Sequence, residues 1–271
     1  MERVADNDHG DKDEIGRFLA VHCPEAEIGA TRRVIGLSEE TGAHLHVCHA
    51  SLPEVVDMVS EAKGRGVPAT VETCPQYLLC TTDDLRRIGG RLKCTPPVRS
   101  GKDVEGMWQR IVDGAVDFIG TDHSPAETFE KDQESFDQCW GGINGVQFLF
   151  SLLHTEGVVR RGLSPELLVR LYSAEPARFI GQYPRKGTLE AGSEATFVIF
   201  DPEAEWTIRA EDLLTKHRQT PYAGMSCKGR VEQTWLRGEL VCLFDSDTGK
   251  HRLTGRAGSG KAVTPENNKG K

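Results

Sequence analysis

Short apolar runs alternate with helix-length amphipathic stretches along the first two-thirds of the chain, and this alternation limits the fold more than any other feature. Glu25 to Thr41 reads as a helix with apolar Ile28, Val34, Ile35 and Leu37, and Gly42 follows as its stop. His44 to His49 reads as a strand. Ser51, Pro53 and Glu54 open a helix with Ser51 as cap, which runs to about Lys63 and stops at Gly64. Val67–Glu72 reads as a second strand. Asp103–Val112 is a helix with apolar Val104, Met107, Trp108 and Ile111. Val116–Gly120 is a third strand that runs straight into Thr121-Asp122-His123-Ser124-Pro125. Strands that alternate with helices in this way indicate a parallel α/β architecture.

The stretch 126–139 is polar and reads as loop. Helices are expected at Gly145–Thr155, from Ser164 onward, and at Ser173–Ile180. From Gly187 the pattern changes to short strands at Ala195–Phe200, Glu205–Ile208, Val231–Leu236 and Glu239–Leu243. The expected organisation is an α/β part over 1–183, a small β domain over 184–246, and a disordered tail over 247–271 rich in Gly, Lys and Asn.

Composition narrows the function classes. Lys+Arg is 33 against Asp+Glu 41, a net charge of -8, which disfavours nucleic acid as a partner. No apolar run approaches the ~20 residues that span a bilayer, so no membrane partner is expected. The eight cysteines include no Cys-x-x-Cys pair, which argues against a zinc ribbon or a thioredoxin-type redox pair. The polar start, Met1 to Gly10, lacks the apolar core of a secretory signal. Free thiols in a cytoplasmic protein are the expectation.

Chemistry is expected where strands end, because the carboxyl ends of parallel strands carry the active sites of α/β folds. His49 closes the first strand and Asp122 follows the third. A neutral imidazole and a carboxylate both ligate zinc, and the carboxylate can also take a proton from a metal-bound water. Each also has a structural reading, His49 as a hydrogen-bonded strand-end residue and Asp122 as a turn or cap residue before Ser124-Pro125. His44, His46 and Cys48 share one face of a regular strand, with His49 on the other. Gly141-Gly142-Ile143-Asn144-Gly145 precedes an apolar helix and can either present backbone N–H groups to a polar ligand or serve as a flexible turn. Thr95-Pro96-Pro97 is a rigid extended segment.

Several ordered motifs together resemble one family. They are His46-Val47-Cys48-His49-Ala50-Ser51, Glu72-Thr73-Cys74-Pro75-Gln76-Tyr77-Leu78, Lys93-Cys94-Thr95-Pro96-Pro97-Val98-Arg99 and Gly120-Thr121-Asp122-His123-Ser124-Pro125. Tyr183-Pro184-Arg185-Lys186-Gly187-Thr188 and Ala195 to Pro202 continue the match. The family is the cyclic amidohydrolases, which include allantoinases, dihydropyrimidinases (hydantoinases) and dihydroorotases. Trp140-Gly141-Gly142-Ile143 and Thr220-Pro221-Tyr222-Ala223-Gly224 lean toward allantoinase, whereas Gln76 looks more like a hydantoinase.

The resemblance implies the C-terminal part of a metal-dependent (β/α)8 TIM barrel followed by a small β-sandwich domain. It also implies two metal ions, usually Zn2+, and a homo-oligomer, a tetramer in the family. His49 matches a sixth-strand metal ligand. Asp122 matches the eighth-strand Asp, which is both ligand and catalytic base. Thr95 and the stretch Gly142 to Asn144 match loops that contact the cyclic amide, mostly through backbone. The implied reaction is metal-assisted hydrolysis of a ring amide, allantoin to allantoate being favoured. In it a hydroxide attacks the ring carbon, and Asp122 passes its proton to the leaving nitrogen.

The family's other ligands should lie upstream of His49, and no matching strand is found there. Val21-His22-Cys23 is followed at once by a helix start, and Lys12 sits in a polar stretch. If the β domain begins near Tyr183, the remaining residues fall short of the ~250 of a typical barrel. The expectation is an N-terminally truncated form with impaired activity alone. Hydantoin, dihydropyrimidine or dihydroorotate hydrolysis are alternatives, and a non-catalytic assembly homologue is an alternative of another class.

Overall fold

The computed structural model describes residues 13–262, whose contacts group into two units. Among the described residues the first unit comprises 13–146 together with Thr215–Tyr222, and the second comprises Gln147–Leu214 and 223–262. Helices within 149–179, expected to belong with the barrel part, group instead with the antiparallel sheet.

In the first unit, α1 (Glu14–Val21) and α2 (Pro24–Thr41) precede β1 (Leu45–Val47). Then come α3 (Pro53–Gly64), β2 (Ala69–Thr73), α4 (Gln76–Leu79), α5 (Thr82–Ile88), α6 (Gly101–Val112) and β3 (Phe118–Ile119). A four-residue helix, α7 (Thr128–Lys131), lies within the stretch expected to be loop. The three strands form one parallel sheet in the order β1-β2-β3, with Leu45 opposite Ala69 and Glu72 opposite Phe118.

The core lies on one side of this sheet. Along β2, Ala69, Val71 and Thr73 are buried, while Thr70 and Glu72 on the other face are half-buried. The buried face meets helices whose apolar residues recur at helical spacing. In α3 these are Val55, Val56, Val59 and Ala62, and in α6 they are Val104, Met107, Trp108 and Ile111. Burying side chains of this size contributes about 2 kcal/mol each. The Trp108 indole N–H donates to the Leu78 carbonyl at 2.9 Å, so its one polar atom is satisfied inside the core.

Helix α6 starts two residues earlier than the sequence pattern suggests. Ser100 caps it, and Asp103 returns a bond to the Ser100 N–H, completing a reciprocal box. Ser51, read as the cap of α3, has a different role. Its backbone N–H donates to Glu27 Oε1 at 2.9 Å, its hydroxyl bonds Glu27 Oε2, and it accepts from Arg99 Nε at 2.9 Å. Arg99 also donates to Glu27 Oε2 at 2.8 Å and to the His22 carbonyl at 2.7 Å. This buried ion pair holds the turn that follows β1. His22 lies at the end of α1, not at the end of a strand.

The second unit carries short helices at Leu149–Leu153, Pro165–Val169 and Glu175–Phe179, with π-helical turns between them. Its sheet runs antiparallel in the order β4 (Phe197–Thr207), β5 (Ser226–Leu236), β6 (Glu239–Asp245) and β7 (Lys250–Leu253). The two strands expected over 195–208 are one strand with register shifts. β7 lies within the stretch expected to be a disordered tail. It is held there by pairing with β6, from Cys242 opposite Leu253 to Asp245 opposite Lys250. The rest of that stretch, from 263, lies outside the described residues, as do Lys12 and His9. Among the described residues this β domain is one sheet, not the two facing sheets of a sandwich. No helix among them is long and apolar enough to cross a membrane.

Candidate active site at the sheet's carboxyl end

β1 and β3 end alike. His49 has φ 42° and Asp122 has φ 44°, so both occupy the left-handed region that non-glycine residues seldom adopt. Each such residue costs of order 1 kcal/mol, which the surrounding structure must over-determine. The ties that do so are visible. The Ala50 N–H donates to the Glu72 carbonyl at 2.9 Å, and the Thr73 hydroxyl donates to the Ala50 carbonyl at 2.8 Å. On the other side of β2, the Gly120 N–H donates to the Thr73 carbonyl at 3.0 Å. β2 thus anchors both turns, and His49 and Asp122 lie at the same end of the sheet. Because β1 ends at Val47 and the backbone turns at His49, strict strand alternation no longer places His49.

The His49 Nδ1 is buried and has no hydrogen-bond partner, while the Asp122 residue is exposed. A buried imidazole nitrogen without a partner is costly unless something fills its valence, and a metal ion does. Glu72 lies between the two. Burial pushes its carboxyl above the usual carboxylate range, the backbone N–H and imidazole of His49 oppose that, and the Asp122 charge adds to it. His46, Cys48 and Glu72 each bring one donor atom to a group whose members lie within 4.8 Å of one another.

Three loops frame this end. The Gly142 N–H donates to the Lys93 carbonyl at 2.8 Å, and the Ser124 N–H donates to the Ile143 carbonyl at 3.0 Å. A Cβ at Gly142 would come within 2.5 Å of the Ser124 hydroxyl oxygen, so only glycine permits this approach. His123 accepts from the Gly145 N–H at its Nδ1 (3.4 Å), and burial lowers its pKa. Thr95 is exposed on the first of these loops. Asn144 is fully buried. Its amide donates to the Thr215 hydroxyl at 3.1 Å and to the His217 carbonyl at 2.6 Å, so its side chain holds the 215–220 segment. That leaves the backbone of 142–144 as the part of the loop able to meet a ligand.

Lys131 was not singled out in the sequence. It is 1% exposed, and its ammonium donates to the carbonyls of Trp140 (2.7 Å), Gly142 (2.7 Å) and Lys93 (3.3 Å). It therefore clamps the Thr95 loop to the Gly142 loop, and burial pulls its pKa down to about 8. Lys131→Met would leave three carbonyls without their donor. A stability loss of about 3 kcal/mol is expected, seen as a lower urea midpoint with faster exchange of the Gly142 amide. An unchanged midpoint would show that the clamp carries no weight.

Glu72 was also missed as a site residue, although a charged residue inside an apolar strand was visible in the sequence. For Lys131 there was no such signal, since its partners are carbonyls of residues up to 38 positions away.

Residues 10–241 match the model of the amidohydrolase family, and the chain belongs to that family. It is 42% identical to an allantoinase of Rubrobacter xylanophilus over 93% of this chain and 54% of that protein. It is 37% identical to an allantoinase of Deinococcus radiodurans over 83% of this chain and 50% of that protein. Among solved structures it resembles the L-hydantoinase (dihydropyrimidinase) from Arthrobacter aurescens. The TM-score is 0.82 at 33% identity, over 86% of this chain and 52% of that one. The D-hydantoinase from Thermus sp. gives a TM-score of 0.83 at 28% identity, over 93% and 55%. The chain spans about half the length of the curated relatives it matches. The parallel α/β unit fits part of a TIM barrel of this family.

Proposed function

We propose that this chain contributes the carboxyl-terminal strands of a metal-dependent cyclic amidohydrolase that opens allantoin to allantoate. The observation that carries this reading is the pairing of His49 and Asp122 in left-handed turns at one end of a single parallel sheet. The allantoinase relatives support the choice of ring.

His49 and Asp122 fit a metal ion as far as they go. They supply an imidazole nitrogen and an open carboxylate, the donors that Zn2+ accepts. Bound there, the ion would polarise the ring carbonyl and lower the pKa of a water. Asp122 would then take a proton from the attacking water, whose oxygen bonds the ring carbonyl carbon, and would return it to the ring nitrogen as the C–N bond breaks. Thr95 and the backbone of Gly142 to Asn144 orient the cyclic ureide, with Lys131 holding the two loops in register. The remaining metal ligands come from outside the described residues, as does a second sheet to complete a β-sandwich. A cytoplasmic homo-oligomer belongs to the same reading.

A second reading, a hydantoin or dihydropyrimidine ring, is favoured by Gln76. Its side chain is 1% exposed and neither amide atom has a partner. The test is to join this chain to the N-terminal half of an allantoinase, load it with zinc, and offer allantoin, hydantoin, dihydrouracil and dihydroorotate. Allantoin turnover by the joined protein, with little by this chain alone, is expected. Preference for hydantoin would select the second reading. A discrete oligomer with neither metal nor turnover would overturn both in favour of an assembly role.

A further inference from the structure

We propose that His46, Cys48 and Glu72 form a thiolate-containing site for a divalent ion such as Zn2+ or Co2+, on the inner face of the parallel sheet and sharing no ligand with the His49–Asp122 pair. Strand pairing puts His46 of β1 on the same face as Thr70 and Glu72 of β2, and Cys48 follows just past the end of β1. One donor atom from each lies within 4.8 Å of the others.

The surroundings orient these donors. The His46 Nδ1 lies 2.8 Å from the Thr70 hydroxyl, which itself donates to the Leu45 carbonyl at 3.5 Å. In the tautomer whose Nδ1–H donates to Thr70, Nε2 carries the lone pair that a metal takes. An outward-bonded Nδ1–H of this kind is the usual support of a metal-ligating imidazole. The His46 ring also stacks on Phe118, with centroids 5.3 Å apart and planes 9° from parallel.

The Nε2 faces the Glu72 Oε2 at 3.8 Å. In that tautomer the lone pair and the carboxylate face each other, and a cation between them would bond to both. Room for the carboxylate comes from Gly120, where a Cβ would lie 2.7 Å from Glu72 Oε2. Cys48 is exposed and free, which gives an ion a way in. Imidazole, thiolate and carboxylate are all donors that Zn2+ takes in tetrahedral sites, with the fourth position left to water. Binding displaces the Cys48 thiol proton to solvent and forms the metal–sulfur bond.

This proposal does not depend on the hydrolytic reading, and its test has a readout that the His49–Asp122 pair cannot produce. Metal-free full-length chain is titrated with Co2+. A near-ultraviolet sulfur-to-cobalt charge-transfer band saturating near one equivalent is expected. The band should vanish in Cys48→Ser and the affinity should fall about tenfold or more in Glu72→Gln, while both persist in Asp122→Asn. In the unmutated chain, one equivalent of Zn2+ should slow iodoacetamide alkylation of Cys48, mapped by peptide, by about tenfold or more. No band, a band that survives Cys48→Ser, or an alkylation rate indifferent to Zn2+ would each overturn the site.

Discussion

Asp122→Asn is expected to lower allantoin hydrolysis by about 10^3-fold or more in the protein joined to an allantoinase N-terminal half. The substitution isolates chemistry from backbone. Asp122 sits at φ 44°, and asparagine tolerates the left-handed region as well as aspartate does. The turn after β3 therefore keeps its shape, and what the variant loses is the carboxylate that the proposed reaction uses as ligand and proton carrier. The loss should fall on kcat, accompanied by lower zinc content, while the urea midpoint stays close to that of the parent. A variant with the parent's kcat would remove Asp122 from the reaction. A variant that unfolds early would instead make it a structural turn residue.

Alkaline pH is expected to dismantle the first unit. Cys74, Cys80 and Cys94 are buried, and burial pushes their thiols up, Cys94 to about 12 against the opposing pull of the Lys131 charge. Unfolded thiols ionise near 9, so above that pH the unfolded chain releases three protons that the folded unit holds. Their contribution is complete below pH 9 and is lost as pH rises toward 12. Lys131 acts in the opposite sense. Its folded pKa of about 8 lies below the unfolded 10.5, so between those values the unfolded chain holds a proton the folded unit has lost, and stability rises with pH. At pH 9 the half-ionised thiols only just outweigh the lysine, and by pH 10 the balance is about two protons, or about 3 kcal/mol lost per pH unit. Urea midpoints should change little from pH 8 to 9 and fall from pH 9 to 10, and Cys94→Ala should lessen that fall. A midpoint independent of pH would show that these thiols are not held neutral by the fold.

The sequence and the structure agree where the signal is local. Strands at 45–47, 69–73 and 118–119 fall inside or within a residue of the runs read from apolar patterning, because residues 69, 71 and 73 needed a buried face. Positions 49 and 122 were legible as strand-end candidates, since short strands point to where chemistry sits. What could not be read is non-local. Ser51 looks like a helix cap, but Glu27 and Arg99, 72 positions apart, claim it. Lys131 lies in a polar stretch that reads as loop because its three carbonyl partners are set by tertiary structure. The left-handed turns at His49 and Asp122 carry no glycine to announce them. β7 escaped notice because polar Lys250 and Arg252 leave little apolar alternation to see.

The one-sided burial of β2 sorts mutations by whether their residue number is odd or even. Changes at 69, 71 or 73 disturb packing against the helices, and their cost appears as lost folding free energy whatever the ligand. Changes at 70 or 72 leave that packing in place and act instead on the half-buried face, where Thr70 meets His46 and Leu45. Sequence drift at the even positions is therefore restrained by what that face contacts and not by the core, so those positions can change while the scaffold stays.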